Sequence, residues 1–292
     1  MPEDFGTPAT AVLERDGLRV HTFTAPATVL ANSTHVLETP SALVVVDGQF
    51  IAPHAAAFRR YVDALGKPIA RMYLSHAHVD HWFGIAAAFA DVDVWAAEAT
   101  IAALRRDGEA ERAARAAQYG PLVPSQVVVP RHVAEPGVDT VDGVKHEIEV
   151  VTGAECDAQL LITLPDHGVT VAQDLVYSGT HVYLTRRMDR SLALLESLAG
   201  SASDVFLAGH GPVADRAELR RNADYLGYAR DRLTGVSDPH AYRDALVAAF
   251  PDRACPQLLD ICVPSLFADS AAPGTGHTEH GHIEHGHTEH GE

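Results

Sequence analysis

Cysteine is scarce in this chain: 292 residues hold three, Cys156, Cys255 and Cys262, an odd number without metal-ligand spacing. That argues against a disulfide framework and for a reducing, cytoplasmic setting. Cys255 and Cys262 read as small buried residues. Positive charge is scarce too, with 22 Lys and Arg against 39 Asp and Glu and a formal net charge of −17. An acidic body repels phosphate backbones, which counts against a nucleic-acid partner. No apolar run approaches the ~20 residues that span a bilayer, so no membrane is expected. The opening MPEDFGTPAT places two acids where a signal peptide carries basic residues, so the chain reads as unexported. A GxxxxGK[ST] phosphate loop is missing as well, which removes P-loop chemistry.

Histidine is what the chain has in excess, with eighteen. Six stand in GHTEH, GHIEH and GHTEH, running in succession from Gly276 to His290. That segment has no apolar periodicity and is expected to be disordered. Imidazoles beside carboxylates bind Zn, Ni or Cu, so metal handling through the tail is one reading of function. The length allows one large domain or two ordinary ones, with enough chain to bury a core. No linker interrupts it. The expected organisation is a single catalytic domain over 1–270, followed by a His-rich tail over 271–292.

Short β-branched runs alternate with Ala-rich helical ones. Leu18–Thr24, Thr28–Glu38, Ala42–Asp47, Ile69–Ser75 and Val92–Ala96 read as strands, with helices over His54–Leu65, Trp82–Ala90 and Glu98–Gln118. Pro121 to Gly143 reads as loop with one or two short strands. From Val144 the period changes to two, giving strands over Val144–Val151, Ala158–Leu164 and Val169–Ala172 and a further strand over Val205–Ala208. Helices follow over Asp189–Leu198, Arg216–Leu233 and His240–Phe250. This order predicts an α/β fold, two α/β halves packed sheet against sheet with helices outside.

The chemistry concentrates in Ser75-His76-Ala77-His78-Val79-Asp80-His81, three imidazoles and a carboxylate just past an apolar strand. Neutral imidazoles ligate Zn and Fe, and Asp neutralises part of a dication's charge. Side chains two apart converge on one metal while Asp80 and His81 face another. The pattern resembles the metallo-β-lactamase superfamily, whose mark is HxHxDH after a β-strand. The resemblance extends from about Gly17 to Tyr228. Asn32-Ser33-Thr34-His35 is similar to that fold's early strand, Val46-Asp47-Gly48 to its "DTG"-like turn, Ala172-Gln173-Asp174-Leu175 to its strand-end bridging aspartate, and Ala208-Gly209-His210-Gly211-Pro212 to its final histidine motif. It implies an αβ/βα sandwich of two mixed β-sheets with the metals at one edge.

One departure stands out. Most members supply another His in a "GHT"-like turn, where this chain reads Thr152-Gly153-Ala154-Glu155-Cys156-Asp157. Ala154 cannot ligate a metal, so Glu155 is the best substitute, with Cys156 and Asp157 as neighbouring alternatives and His146 as an outside candidate. Glutamate there is similar to the alkylsulfatase and di-iron oxygenase branches. The stretch from Gly179 to Arg186 adds a likeness to alkylsulfatases, which carry a His, a Tyr and an Arg in it. His181, Tyr183 and Arg186, together with Arg187, are therefore candidates for holding an anionic group, since Arg forks match sulfate, phosphate or carboxylate. The extra dimerisation and lipid-carrier-like domains of such sulfatases are missing.

The resulting assignment is His76, His78 and Glu155 at one metal, and Asp80, His81 and His210 at the other, with Asp174 and a hydroxide bridging them. Asp80 or Asp174 would shuttle the proton. Two divalent ions are expected, Zn first and Fe as the alternative, because two His plus one carboxylate suits either. The expected activity is hydrolysis of a small anionic or ester-type substrate, such as a sulfate ester, phosphate ester, lactone or thioester. The runner-up is a di-iron oxygenase on the same fold. The expected partner is a small molecule, and a homodimer is compatible with the sequence. Trp82 and Phe83 read as core and His35 as structural.

Overall fold

The computed structural model describes residues 5–268. The His-rich repeats lie outside them. The chain opens with strands β1 (Ala9–Arg15), β2 (Leu18–Thr24), β3 (Ser33–Glu38) and β4 (Leu43–Val46), then helix α1 (Ala52–Ala64), β5 (Ile69–Tyr73), α2 (Val79–Ala88), β6 (Val94–Ala96) and α3 (Glu98–Tyr119). It continues through β7 (His132–Val133), β8 (Gly137–Val141), β9 (Val144–Thr152), β10 (Ala158–Leu164) and β11 (Val169–Tyr177). The end holds α4 (Met188–Gly200), β12 (Val205–His210), α5 (Arg216–Leu233), α6 (Pro239–Ala249) and α7 (Gln257–Phe267).

Two mixed sheets result, a seven-stranded one ordered β1 to β7 and a five-stranded one ordered β12-β11-β10-β9-β8. Strands β1 to β4 are antiparallel and β4 to β7 parallel. In the second sheet only the β11–β12 pair is parallel. The apolar run Leu43-Val44-Val45-Val46 shows why the layers stack as they do. Successive side chains of a strand point to opposite faces. Leu43 and Val45 pack under α1 to α3 with Phe58, Phe83 and Leu104, while Val44 and Val46 meet Leu160, Ile162 and Leu207 from the other sheet. Strand β12 does the same in mirror fashion: Val205 and Leu207 face the sheet interface, and Phe206 and Ala208 face α4 to α7. A strand buried on both faces reads as a continuous hydrophobic run. Full burial of each such side chain contributes about 1.5–3 kcal/mol. The architecture is the expected αβ/βα sandwich.

Several boundaries differ from the sequence reading. Strand β1 was not anticipated because its side chains are largely exposed, yet Asp16 and Gly17, both at positive φ, form the two-residue hairpin turn that joins it to β2. The run from Thr28 is broken by a 3-10 turn over Ala27–Val29 with Leu30 and Ala31 at positive φ, so β3 starts only at Ser33. Strand β11 runs past Ala172 to Tyr177 with every residue buried, Gln173 and Asp174 included. Helix α2 begins at Val79, inside the histidine motif. Helix α7 was missed because Pro264 lies within it. Its apolar face, with Leu258, Leu259, Cys262 and Leu266, packs into the core beside α5 and α6 and offsets the bond that proline cannot make.

Candidate metal centre

The site lies where chain segments of both sheets meet. Strand β5 ends at Tyr73 and delivers His76 and His78 on the following loop, and α2 then carries Asp80 and His81 in its first turn. Glu155 sits in the turn between β9 and β10. Asp174 lies within β11 and His210 closes β12. The two sheets are stitched together here: Leu160 donates its N–H to the Ser75 carbonyl at 2.9 Å, Gly211 donates to Ala31 at 2.8 Å, and Asn32 bridges His210.

Two groups of ligand-type atoms form, each closed within 4.8 Å: His76, His78, Glu155 and Asp174, and separately Asp80, His81 and His210. Asp174 touches both. Its Oδ1 lies 3.2 Å from His81 Nε2, and its Oδ2 lies 3.3 Å from His210 Nε2 and 3.6 Å from His76 Nε2. Asp80 Oδ2 stands 3.4 Å from His210 Nε2 and 3.6 Å from His81 Nε2. His78 Nδ1 is 3.2 Å from Glu155 Oε1. All of these residues are buried except His78, whose side chain is 34% exposed and marks the entrance.

Three of the imidazoles are held by Nδ1, which leaves Nε2 facing the cluster. His81 Nδ1 donates to Asp47 at 2.8 Å, His210 Nδ1 donates to the Leu30 carbonyl at 2.8 Å, and His76 Nδ1 pairs with Ser75 Oγ at 2.9 Å. Asp47 is the hub of this support. It also accepts from Ser75 N–H at 2.8 Å, from Ser75 Oγ at 2.7 Å and from Gln173 Nε2. The Glu155 turn is pinned by the loop after β11, where Thr185 Oγ1 donates to the Ala154 carbonyl at 3.1 Å and Arg187 pairs with Asp157 at 2.8 Å. A glycine is required at 209, because a Cβ there would overlap Asp174 Oδ1.

Charge is polarised within the cluster. Burial holds His76 well below the ordinary imidazole range, and the charge of His81 adds to that effect. Burial also opposes charge on His81, but Asp174, Asp80 and Asp47 outweigh it and raise His81 well above that range. His210 is raised in the same way, chiefly by Asp174. Asp174 is held well below the carboxylate range by His81, His210 and His76 despite its burial. Burial and the neighbouring Asp174 push Glu155 well above it.

Five buried polar atoms in this centre have no hydrogen-bond partner: Nε2 of His76 and of His81, Oδ1 of Asp174 and both carboxylate oxygens of Glu155. A buried polar atom left unpaired costs about 1–3 kcal/mol, and more if it is charged. Five of them converging as imidazole nitrogen and carboxylate oxygen form a donor set that fits divalent cations of the zinc type.

The alternatives to Glu155 are not among the two ligand groups, although Cys156 lies beside the Glu155 carboxylate. Cys156 Sγ turns to the Ala158 carbonyl at 3.4 Å, Asp157 pairs with Arg187, and His146 Nδ1 bonds the Val144 carbonyl on β9 beside Tyr73. Of the four candidate substrate residues, Tyr183 comes to the cluster, its ring 5.4 Å from that of His78, and Arg187 reaches the Glu155 turn through Asp157. His181 pairs with Tyr225 at 2.9 Å, and Arg186 donates to the Leu266 carbonyl at the end of α7. His35 is structural, bonded to Thr22 and to the Ala208 carbonyl, both at 3.0 Å. Trp82 and Phe83 are buried in the core. Sequence reasoning marked Asp47 only as part of the "DTG"-like turn and passed over Tyr177, whose hydroxyl donates to Asp174 Oδ2 at 3.1 Å. An ionisable residue ending the buried run Leu43 to Val46 was the available signal for Asp47.

Solved structures share this architecture. The metallo-β-lactamase from Pontibacter korlensis matches at 17% identity and a TM-score of 0.55, over 75% of this chain and 99% of its own. The metallo-β-lactamase from Erythrobacter litoralis, with β-mercaptoethanol in its active site, matches at 17% identity and 0.57, over 77% and 98%. FIM-1 from Pseudomonas aeruginosa in its mono-zinc form gives 17% identity and 0.54, over 77% and 97%. No sequence family matches the chain, and neither does any curated protein. The chain has the metallo-β-lactamase fold. Among the described residues, no helix is long and apolar enough to cross a membrane.

Proposed function

We propose that this protein is a metal-dependent hydrolase with a two-metal centre, acting on a small anionic or ester-type substrate. The observation that carries the reading is that five unpartnered buried ligand atoms fall in two groups, His81 Nε2 in one and those of His76, Glu155 and Asp174 in the other. His76, His78 and Glu155 would hold one zinc ion and Asp80, His81 and His210 the other, with Asp174 shared. Cations bound there supply Lewis acidity and lower the pKa of a water toward ~7. The protein's own part is to exclude solvent, fix the imidazoles and move a proton. Asp80 and Asp174 are the candidates for that last task. Both are buried: the Asp174 side chain is 2% exposed and accepts from Tyr177, and the Asp80 side chain is 10% exposed and accepts from Asn32 Nδ2 at 3.4 Å. Either carboxylate would serve as the proton shuttle, and Asp80 is the less deeply buried of the two. Substrate enters past His78 and Tyr183.

The test is metal analysis of protein purified without added metal, paired with a screen of sulfate ester, phosphate ester, lactone and thioester substrates. About two zinc ions per chain with turnover in one class is expected, and His78→Ala is expected to abolish turnover while the chain stays folded. Wild-type metal content and activity in His78→Ala would refute the assignment. One observation favours a second reading on the same fold. Glu155 with two histidines is also a set suited to non-haem Fe(II), so bound iron with oxygen uptake would mark a di-iron oxygenase. Loose metal binding by the tail, which lies outside the described residues, is an accessory role.

A further inference from the structure

Tyr177 ends β11 three residues after Asp174 and is 1% exposed. Its backbone is clamped from α5: the Tyr177 N–H donates to Asn222 Oδ1 at 2.9 Å, and Asn222 Nδ2 donates to the Tyr177 carbonyl at 2.7 Å. The ring lies parallel to that of His210, with centroids 5.0 Å apart and planes at 4°. The hydroxyl donates to Asp174 Oδ2 at 3.1 Å. One side chain on a fixed base thus touches the shared carboxylate and an imidazole of the second ligand group.

We propose that Tyr177 is a positioning residue for the metal pair, its hydroxyl fixing the rotation of the Asp174 carboxylate and its ring fixing the plane of His210. The proposal rests on the metal-site reading above. An Asp carboxylate rotates in a broad, nearly two-fold χ2 well, so its own torsion does not specify which oxygen faces which ligand group. The Tyr177 bond breaks that symmetry. It engages Oδ2 and leaves Oδ1, which has no hydrogen-bond partner, directed at His81. Apolar filling alone would be served equally by phenylalanine, and a buried hydroxyl is costly unless it is bonded. Partners of this kind outside the ligand set typically change metal affinity 10–100-fold.

Tyr177→Phe separates the two roles, because it keeps the ring, its burial and its stacking on His210 and removes only the donor. Zinc titration against a chromophoric chelator and the visible spectrum of cobalt-substituted protein are the readouts. The variant is expected to melt within a few degrees of wild type when metal-free, to bind one of its two zinc ions about 10–100-fold more weakly, and to shift the cobalt bands. Tyr242→Phe serves as the control, since that buried hydroxyl donates to the Ala229 carbonyl away from the centre; it should leave zinc affinity and the cobalt spectrum unchanged. Two zinc ions per wild-type chain with Tyr177→Phe indistinguishable in both readouts would overturn the positioning role alone, as would equal losses in the two variants. A wild-type chain that binds no zinc would overturn the metal-site reading and this inference with it.

Discussion

Gly84 on α2 packs directly on the backbone of Gly48: a Cβ built on Gly84 would overlap the Gly48 carbonyl. Around that contact Gly48 donates to the His81 carbonyl and Gly84 to the Gln49 carbonyl, each at 2.8 Å. The helix that carries Asp80 and His81 is thereby fastened to the end of β4, beside Asp47. Gly84→Ala should cost about 3 kcal/mol, the upper range for overpacking, because backbone and not a flexible side chain must move. Urea denaturation measures this, and a loss under 1 kcal/mol would show that α2 slides freely.

Asp47 should matter for metal without touching it. Asp47→Asn puts an amide N–H among donors that all point at the carboxylate. Stability should fall by about 1.5–3 kcal/mol and zinc affinity by about 10–100-fold. Calorimetric melting with and without zinc measures both; equal zinc affinity in variant and wild type would reduce Asp47 to a folding residue.

Glu155 is the point where the chain departs from the histidine that its superfamily resemblance implies. Glu155→Ala should release or strongly weaken one metal, because an open coordination position is left. Glu155→His should recover part of the binding with altered activity. Two metals retained at wild-type affinity in Glu155→Ala would exclude it as a ligand.

Acid should unfold the metal-free protein from below pH 6.5. Burial holds His35 and His181 at about 4 in the folded chain, against an ordinary 6.5. A lowered imidazole stays neutral when folded while the unfolded chain takes the proton, so stability is lost as pH falls from 6.5 to about 4. For the wholly buried His35 the loss is roughly 3 kcal/mol. His35→Gln, which can still accept from Thr22 and donate to Ala208, should flatten the slope of unfolding free energy against pH. An unchanged slope would assign the acid sensitivity to other groups.

Truncation after Ala272 removes all six tail histidines. Turnover of metal-saturated protein should be unchanged while total bound metal falls. Loss of turnover at saturating metal would place the tail in the reaction.

The residues of the candidate metal site were readable because they stand in short motifs at the ends of apolar strands, as His76 to His81 follow β5 and His210 closes β12. Glu155 was found by elimination among its neighbours. Asp47 was marked only as part of the "DTG"-like turn and Tyr177 not at all, because their importance lies in what they touch across the sheets, and periodicity carries no record of that. Asp174 hid the true length of β11 for a related reason: a carboxylate in a wholly buried strand violates the hydrophobic pattern, and the violation is compensated by His81, His210 and Tyr177. Arg186 carried no signal of its tertiary contact, a bond from its guanidinium to the Leu266 carbonyl.

The division of the proposed ligands between the two halves of the chain also bears on how the chain comes apart. His76, His78, Asp80 and His81 belong to the first half and Glu155, Asp174 and His210 to the second, so neither half holds a complete set. A cation bound here is a removable cross-link between segments far apart in the chain, and it stabilises only the docked state, by an amount that grows with free metal over its dissociation constant. If the centre holds metal as proposed, chelation and opening of the sandwich would be a single linked equilibrium, and protease sensitivity at the seam would report the occupancy of the centre.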